Sequence, residues 1–265
     1  MWQYRLLLAS GYLAFFIAIA DTVVTGHYLL LASWIYTAMV CTHLGNGVAL
    51  HRYFVHGSFL TTKGKHKILC LLSVLPGYGS PITMSMLHHH HHRHSDQDLD
   101  THSPLHGFWH SWLLYATYGS SYYLKEKKVR YLPRELFKDA WVRWIHHNYY
   151  RIWLTMVILA GLVHWRLAVY FVLVPVAIGS LHNFFFLYTS HVPRFPGNYR
   201  NFDTQDRSQN NRLVSLLVGE LHNNHHKHPR LYDQAISAGE FDLAGWMVRK
   251  IFLENDPKKQ YNYRI

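Results

Sequence analysis

The chain has 265 residues, of which 49% are hydrophobic and 16% aromatic, with 23 histidines and a formal charge of +11. Mean hydropathy is only −0.08, because long uncharged apolar runs sit beside segments dense in His, Lys and Arg. Two cysteines exclude a disulfide framework. Basic residues that flank apolar runs argue against nucleic acid as a partner and for anionic lipid or an acidic protein.

Residues 6–24 (LLLASGYLAFFIAIADTVV) reach the roughly 20 residues that a bilayer core requires, with one acid, Asp21, near the end. The run is too long for a cleavable signal, and another follows almost at once. A turn over 25–27 leads to residues 28–50, free of charge apart from the titratable His43. Together they predict a transmembrane hairpin. Cys41 and Cys70 lie in apolar stretches and read as small buried hydrophobes. The stretch HKILCLLSVLPGYGSP is too short to span and is stopped by Pro76 and Gly77, so a helix at the interface is expected. Residues 107–124, with an aromatic-rich face, read the same way. Residues 149–165 and 167–188 predict a second hairpin, with Tyr and Trp at the ends of the third span as interfacial anchors. Finally, NNRLVSLLVGELHNNHHKHP predicts a helix whose apolar residues precede a histidine cluster.

Of the 26 Lys and Arg, only Arg166 falls in a tight hairpin turn. Arg5 precedes the first span, and the others lie before or at the start of the third span or after the fourth. The positive-inside tendency then puts both long segments and both termini in the cytoplasm. The expected architecture is an all-α membrane protein with four transmembrane helices in two hairpins. Its cytoplasmic helical cap comprises 51–148 and 192–265, and the whole, 1–265, forms one domain.

Three histidine clusters stand out: HRYFVH (His51, His56), HHHHH (88–92) and HNNHH (His222, His225, His226). A helix places residues three and four apart on one face. His88, His91 and His92 therefore converge, as do His222, His225 and His226, while His89 and His90 point elsewhere. His51 and His56 are five apart, about 140° around a straight helix, and meet only if the helix ends or bends. His191, at the end of the fourth span, contributes at the same depth. Neutral imidazole binds Fe, Zn, Cu or Ni, and eight or nine of them exceed one tetrahedral site, so two metals are the natural count. A tag or a disordered metal sponge would have no matching cluster elsewhere. His43 is expected to be a hydrogen-bonded core residue, and His94, His102, His106 and His110 to be solvated or to flank the site.

In order and interval, these boxes among four spans resemble the membrane fatty-acid desaturases, specifically the stearoyl-CoA (acyl-CoA delta-9) desaturase branch. The similarity runs over about residues 45–252 and includes GSP (79–81), GFW (107–109) and EFDLAGWMVRKI near the C-terminus. It implies a non-haem di-iron site held by His51, His56, His88, His91, His92, His191, His222, His225 and His226, with zinc as a possible substitute. It also implies an acyl tunnel beneath the cap, where O₂ and two external electrons convert adjacent methylenes of a long-chain acyl substrate, CoA- or lipid-linked, into a cis double bond, by analogy at delta-9. The implied electron donor is ferredoxin or cytochrome b5, for which the basic stretch 125–134 is a candidate docking face. The implied membrane is the endoplasmic reticulum in a eukaryote, or the inner or thylakoid membrane in a bacterium. Asp96 and Asp100 resemble the acids that follow the second box and are candidates for orienting ligand imidazoles; Asn183 and Glu220 are further candidates. The chain departs from the pattern in four places. His89 replaces an Arg, Met84 stands where Trp is common, Leu187 takes the place of an Asn, and Glu220 precedes His222 by two residues instead of three. Two other functions share some of these features: a hydroxylase or ketolase with the same three boxes, and a His-rich metal transporter, whose site would lie near the bilayer midplane.

Overall fold

A computed structural model describes residues 2–101, 103–111, 125–126 and 129–262. The surface helix expected over 107–124 lies outside them from residue 112 onward, as does His102. Every regular element among the described residues is helical, and strand-like pairing is confined to two isolated bridges, Thr61 with Tyr261 and Tyr199 with Asn210.

Helix α1 (Trp2–Thr25) is followed after a short turn by α2, which begins as Leu29–Tyr36 and runs on unbroken as a π-wound stretch, Thr37–His56. It stops at Gly57, whose left-handed backbone (φ 58) closes the helix end. The helix therefore extends past the expected end of the second span and carries His51 and His56 on its last turns. Helix α3 (Lys63–Leu72) is capped by the Thr62 hydroxyl, which accepts from Lys65 N at 3.3 Å, and ends before Pro76 as expected. Helix α4 (Pro81–His94) starts with Pro at its first position and with Ser80 Oγ accepting from Thr83 N. It contains the whole histidine run. After α5 (Arg134–Lys138) comes α6 (Ala140–Val163), capped by Asp139 and starting well before the expected third span. Helix α7 (Trp165–Thr189) combines a single turn, a π-wound segment, Ala168–Leu173, and an α-helix, Val174–Thr189.

The helix expected over 210–229 is in fact two, α8 (Arg212–Val218) and α9 (His222–Lys227). The break falls at Gly219, φ +78, where a Cβ would lie 2.7 Å from His43 Nδ1. A left-handed residue packed that tightly has to be glycine. Helix α10 (Leu243–Met247), capped by Asp242, completes the described set with the π-wound turn that follows it.

By length and composition α1 and α7 can each cross a membrane. They pack on one another through a small-residue face of α1, Leu7, Gly11, Ala14 and Ala18, at three- and four-residue intervals. A Cβ at Gly11 would stand 3.0 Å from Val176 on α7, so the backbones meet closely. The opposite face of α1 leaves Leu13, Phe16 and Val24 exposed, and the last turns of α6 leave Leu159, Leu162 and Val163 exposed. Where α1 ends and α7 begins, Arg166 donates to both Asp21 oxygens at 2.8 and 2.7 Å, and Tyr170 Oη donates to the same carboxylate at 3.0 Å. From this clamp to its end at Thr189, two residues before His191, α7 rises about 34 Å at 1.5 Å per residue, more than the roughly 30 Å of a hydrocarbon core.

Candidate metal centre

His51 and His56 are brought together by the winding of α2. In an i→i+5 ladder, residues five apart lie one turn above each other, and the two ring centroids are 4.8 Å apart. No kink is needed. On α4, the three- and four-residue spacing turns His88, His91 and His92 to one side. His89 instead stacks on Tyr131 at 4.1 Å, and His90 bonds the Leu99 carbonyl at 3.0 Å. His43, also as expected, is a core residue bonded to the Leu216 carbonyl at 2.8 Å. Helix α9 has only six residues, too few to be stable alone, and is held by amides. Asn223 Oδ1 accepts from the backbone N–H groups of Asn201 and Phe202, both at 2.9 Å. Asn224 Nδ2 donates to Gln234 O at 2.8 Å and to Glu240 at 2.9 Å. The two asparagines of HNNHH thus anchor the helix while its three histidines face the site.

All nine predicted histidines meet in one cluster, seven of them buried and His92 and His226 half-buried. Within it His51, His56, His88 and His225 form one group and His91, His191, His222 and His226 another, each with nitrogens within 4.8 Å of one another. His92 lies between them: its Nε2 is 2.9 Å from His88 Nε2 and 2.8 Å from His225 Nε2, and its ring centroid is 4.5 Å from that of His226.

Carboxylates hold the far nitrogens. Asp96 accepts from His191 Nδ1 at 2.9 Å, Asp100 from His91 Nδ1 at 2.9 Å, and Asp206 from His226 Nδ1 at 2.7 Å. Glu220 accepts from His222 Nδ1 through Oε1, while its Oε2 lies 3.2 Å from His51 Nδ1, off the line of a hydrogen bond. Asp96 sits at φ 60, rare for a residue with a side chain. Its carboxylate also accepts from Arg207 N at 2.6 Å, and its own N–H donates to Asp100 at 3.0 Å. Asn183 is buried on α7, and no hydrogen bond joins it to the histidines among the described residues. Phe186, one turn from Asn183, packs edge-on against His222 at 5.1 Å. An apolar pocket lies between α7 and α8, lined by Leu181, His182, Phe185, Val214, Leu217 and Val218.

The donor set fits metal ions. With their Nδ1 protons given to Asp96 and Glu220, His191 and His222 turn lone pairs at each other across 2.7 Å, a tautomer assignment that follows from those partners. Facing lone pairs repel unless a metal ion or a proton lies between them. Metal–imidazole bonds of about 2.0–2.1 Å place neighbouring nitrogens about 3 Å apart, and the other Nε2 pairs here lie in that range, His51–His88 at 3.0 Å and His91–His226 at 3.3 Å. Burial pushes His51, His88, His92, His222 and His225 well below their ordinary range, so they are neutral ligands at physiological pH. For His191 burial also pulls downward, but the Asp96 carboxylate outweighs it and the net shift is upward. Burial raises the Glu220 carboxyl to about 8, and a nearby dication acts the other way.

A second, fully buried ion pair holds the boxes in register. Arg52, next to His51, donates to Asp242 at 2.7 Å, to Tyr232 O at 2.8 Å, and to Gly47 O and Gly219 O at 3.0 Å each. The acidic element EFD near the C-terminus thus has two tasks: Glu240 holds the third histidine box and Asp242 holds Arg52. Asp206 is the carboxylate that sequence reasoning missed. It lies in a polar loop, at no helical interval from any histidine, and nothing in the sequence separates it from the solvated Asp203 nearby.

Described residues whose regular elements are all helical, and that gather nine imidazoles in groups able to hold metal, define a class, the polyhistidine metalloproteins with apolar helices long enough for a membrane. Residues 25–256 match the family model for fatty acid desaturase. Over 251 residues the chain is 29% identical to a hex-5-enoyl-[acyl-carrier protein] acetylenase of Moorena producens (strain JHB), covering 81% of this chain and 73% of that one. It is 30% identical to Delta-9 acyl-lipid desaturase 1 of Arabidopsis thaliana, over 80% of this chain and 68% of the relative. It is 25% identical to an sn-2 palmitoyl-lipid 9-desaturase of Nostoc sp. (strain 36), over 78% and 72%. The chain belongs to the fatty acid desaturase family. It is a fatty acyl desaturase, an oxidoreductase, and its histidine groups are consistent with bound iron.

Proposed function

We propose that this desaturase introduces a cis double bond, by analogy with its relatives at the ninth position, into a long-chain acyl group carried on lipid or CoA. The observation that supports it most is the pair of facing histidine groups, each with its nitrogens within 4.8 Å of one another. In this reading His51, His56, His88, His91, His92, His191, His222, His225 and His226 hold two irons. When bound, these supply the redox chemistry that activates O₂. Asp96, Asp100, Asp206 and Glu220 hold the protons of His191, His91, His226 and His222 on Nδ1 and so keep the Nε2 of those four aimed at the metal. Burial keeps bulk water from the histidine cluster. Only position distinguishes one methylene from the next, so the chain must be fixed by apolar walls; the pocket between α7 and α8 is a candidate stretch of wall.

Electrons come from an external donor such as ferredoxin or cytochrome b5, and the basic segment 125–134 suits an acidic partner. Four spans, over 6–24, 28–50, 149–165 and 167–188, with the cap 51–148 and 192–265 in the cytoplasm, put the site just above the lipid in a single domain. The rise of α7 from the Asp21–Arg166 clamp to Thr189, just before His191, supports this placement. The test is to express the full chain in cells lacking their own desaturase and to locate new double bonds in lipid and CoA pools by mass spectrometry. New alkenes without retained oxygen are expected; hydroxylated or keto chains would assign the protein to the oxygenating relatives instead.

A further inference from the structure

The two histidine groups differ in what stands behind them. In the group of His91, His191, His222 and His226 each Nδ1 donates to a carboxylate: Asp100, Asp96, Glu220 and Asp206 respectively. In the group of His51, His56, His88 and His225, the one carboxylate approach described is Glu220 Oε2 to His51 Nδ1 at 3.2 Å, out of line. His225 Nδ1 is buried with no hydrogen-bond partner. The guanidinium next to His51 in sequence, Arg52, adds a positive charge on that side, itself paired with Asp242.

A carboxylate behind an imidazole does two things. It makes the other nitrogen a stronger donor, and its negative charge lowers the free energy of a cation a few ångströms away. Four such groups surround one position; among the described residues one carboxylate, shared between the two groups, approaches the other.

Resting on the two-metal reading above, we propose that the two positions are unequal and fill in order. The cation among His91, His191, His222 and His226 binds first and stays, and the one among His51, His56, His88 and His225 is exchangeable. Loss of one of these buttressing partners typically weakens metal affinity about 10–100-fold, so with three more carboxylates on one side the two affinities differ by at least about tenfold.

The full chain, purified in detergent and stripped with chelator, is titrated with Co²⁺ without oxygen against a competing chelator, with bound metal per chain and the cobalt absorption bands recorded. Two resolved phases are expected. Asp206→Asn weakens the tighter phase about 10–100-fold and leaves the weaker one in place, and Asp100→Asn does the same as an independent check. His225→Ala removes the weaker phase and spares the tighter. Two metals bound with one common affinity would overturn the ordering while leaving the two-metal reading intact, as would loss of the tight phase in His225→Ala with its retention in Asp206→Asn. Binding of a single metal by the unaltered chain would overturn both.

Discussion

His191 stands apart in sequence from every box, yet its ring lies 4.7 Å from His222 and 5.2 Å from His91. If it is a ligand, His191→Ala leaves three imidazoles in its group and exposes the Asp96 carboxylate to an empty space. Activity is expected to fall by at least about 100-fold, with metal per chain, measured by elemental analysis, falling below that of the unaltered protein. Full metal content and activity would remove His191 from the site. Arg52 is a residue of a different kind, touching no histidine gap. Arg52→Met leaves the Asp242 carboxylate buried without its cation, which costs about 3–5 kcal/mol and lowers the detergent melting temperature. The double variant Arg52→Met with Asp242→Asn is expected to recover part of that loss, because no unpaired charge is left behind. A single change as damaging as the double one, with no recovery, would show that the hydrogen bonds matter and the charge does not.

The caps and joints of the helices carry the next set of consequences. Asp139 caps α6 by accepting from Val142 N at 3.0 Å, and its other oxygen accepts from Tyr261 Oη at 3.0 Å and lies 3.3 Å from His66 Nε2. It thereby ties α3, α6 and the C-terminal segment together. Burial opposes its charge, but the His66 contact and the Val142 amide outweigh it and hold the carboxyl down at about 2. A carboxyl depressed below its unfolded value of 3.8 contributes stability that is present above that value and lost as pH falls through the folded one. Asp139→Ala is therefore expected to cost about 1–2 kcal/mol at neutral pH, with the gap to the unaltered protein narrowing below pH 4. A gap that stays constant down to pH 3 would mean that the charge contributes nothing.

Much of this level was legible beforehand. The three- and four-residue histidine spacings on α4 and α9 follow from helix geometry alone, as does the arrest of α3 before Pro76. The split between α8 and α9 was not, because it depends on how closely Gly219 approaches His43, a contact between residues far apart in the chain. Asp206 was invisible for the same reason, since a loop has no periodicity to read. The meeting of His51 with His56 was visible only as a condition, because local sequence does not announce the wider winding that fulfils it.

At the scale of the whole molecule, charge and apolar surface divide along α7. Arg166 is locked to Asp21 at one end, His191 lies just past the other, and the four-span reading assigns nearly all the other basic residues to that second side. In the four-span reading these ends face opposite sides of a bilayer. The native cysteines, Cys41 and Cys70, are both buried, so an added cysteine reports on its own position. In intact cells, a membrane-impermeant thiol reagent is expected to label His164→Cys from outside and Lys258→Cys only after permeabilisation, both sites being exposed in the structure. Labelling of both variants from one side would require a different number of spans.

The wide winding of α2 has a consequence for how this chain can change. Four residues apart, two histidines share a face of an ordinary helix; five apart, they do so only where the coil is expanded. Interval and expansion therefore set a single phase. Removing one residue between His51 and His56 while the winding stayed wide would swing His51, and everything before it, by about a quarter turn relative to His56, whereas relaxation of that turn to the ordinary coil would restore the phase. In the first case Gly45, where a Cβ would already lie 2.9 Å from Leu72 O and from the Pro76 ring, would turn out of its notch and a bulkier neighbour would turn in. A shortened box is thus compatible with metals and packing alike only where the coil tightens with it, so the lost residue and the lost expansion must arrive together.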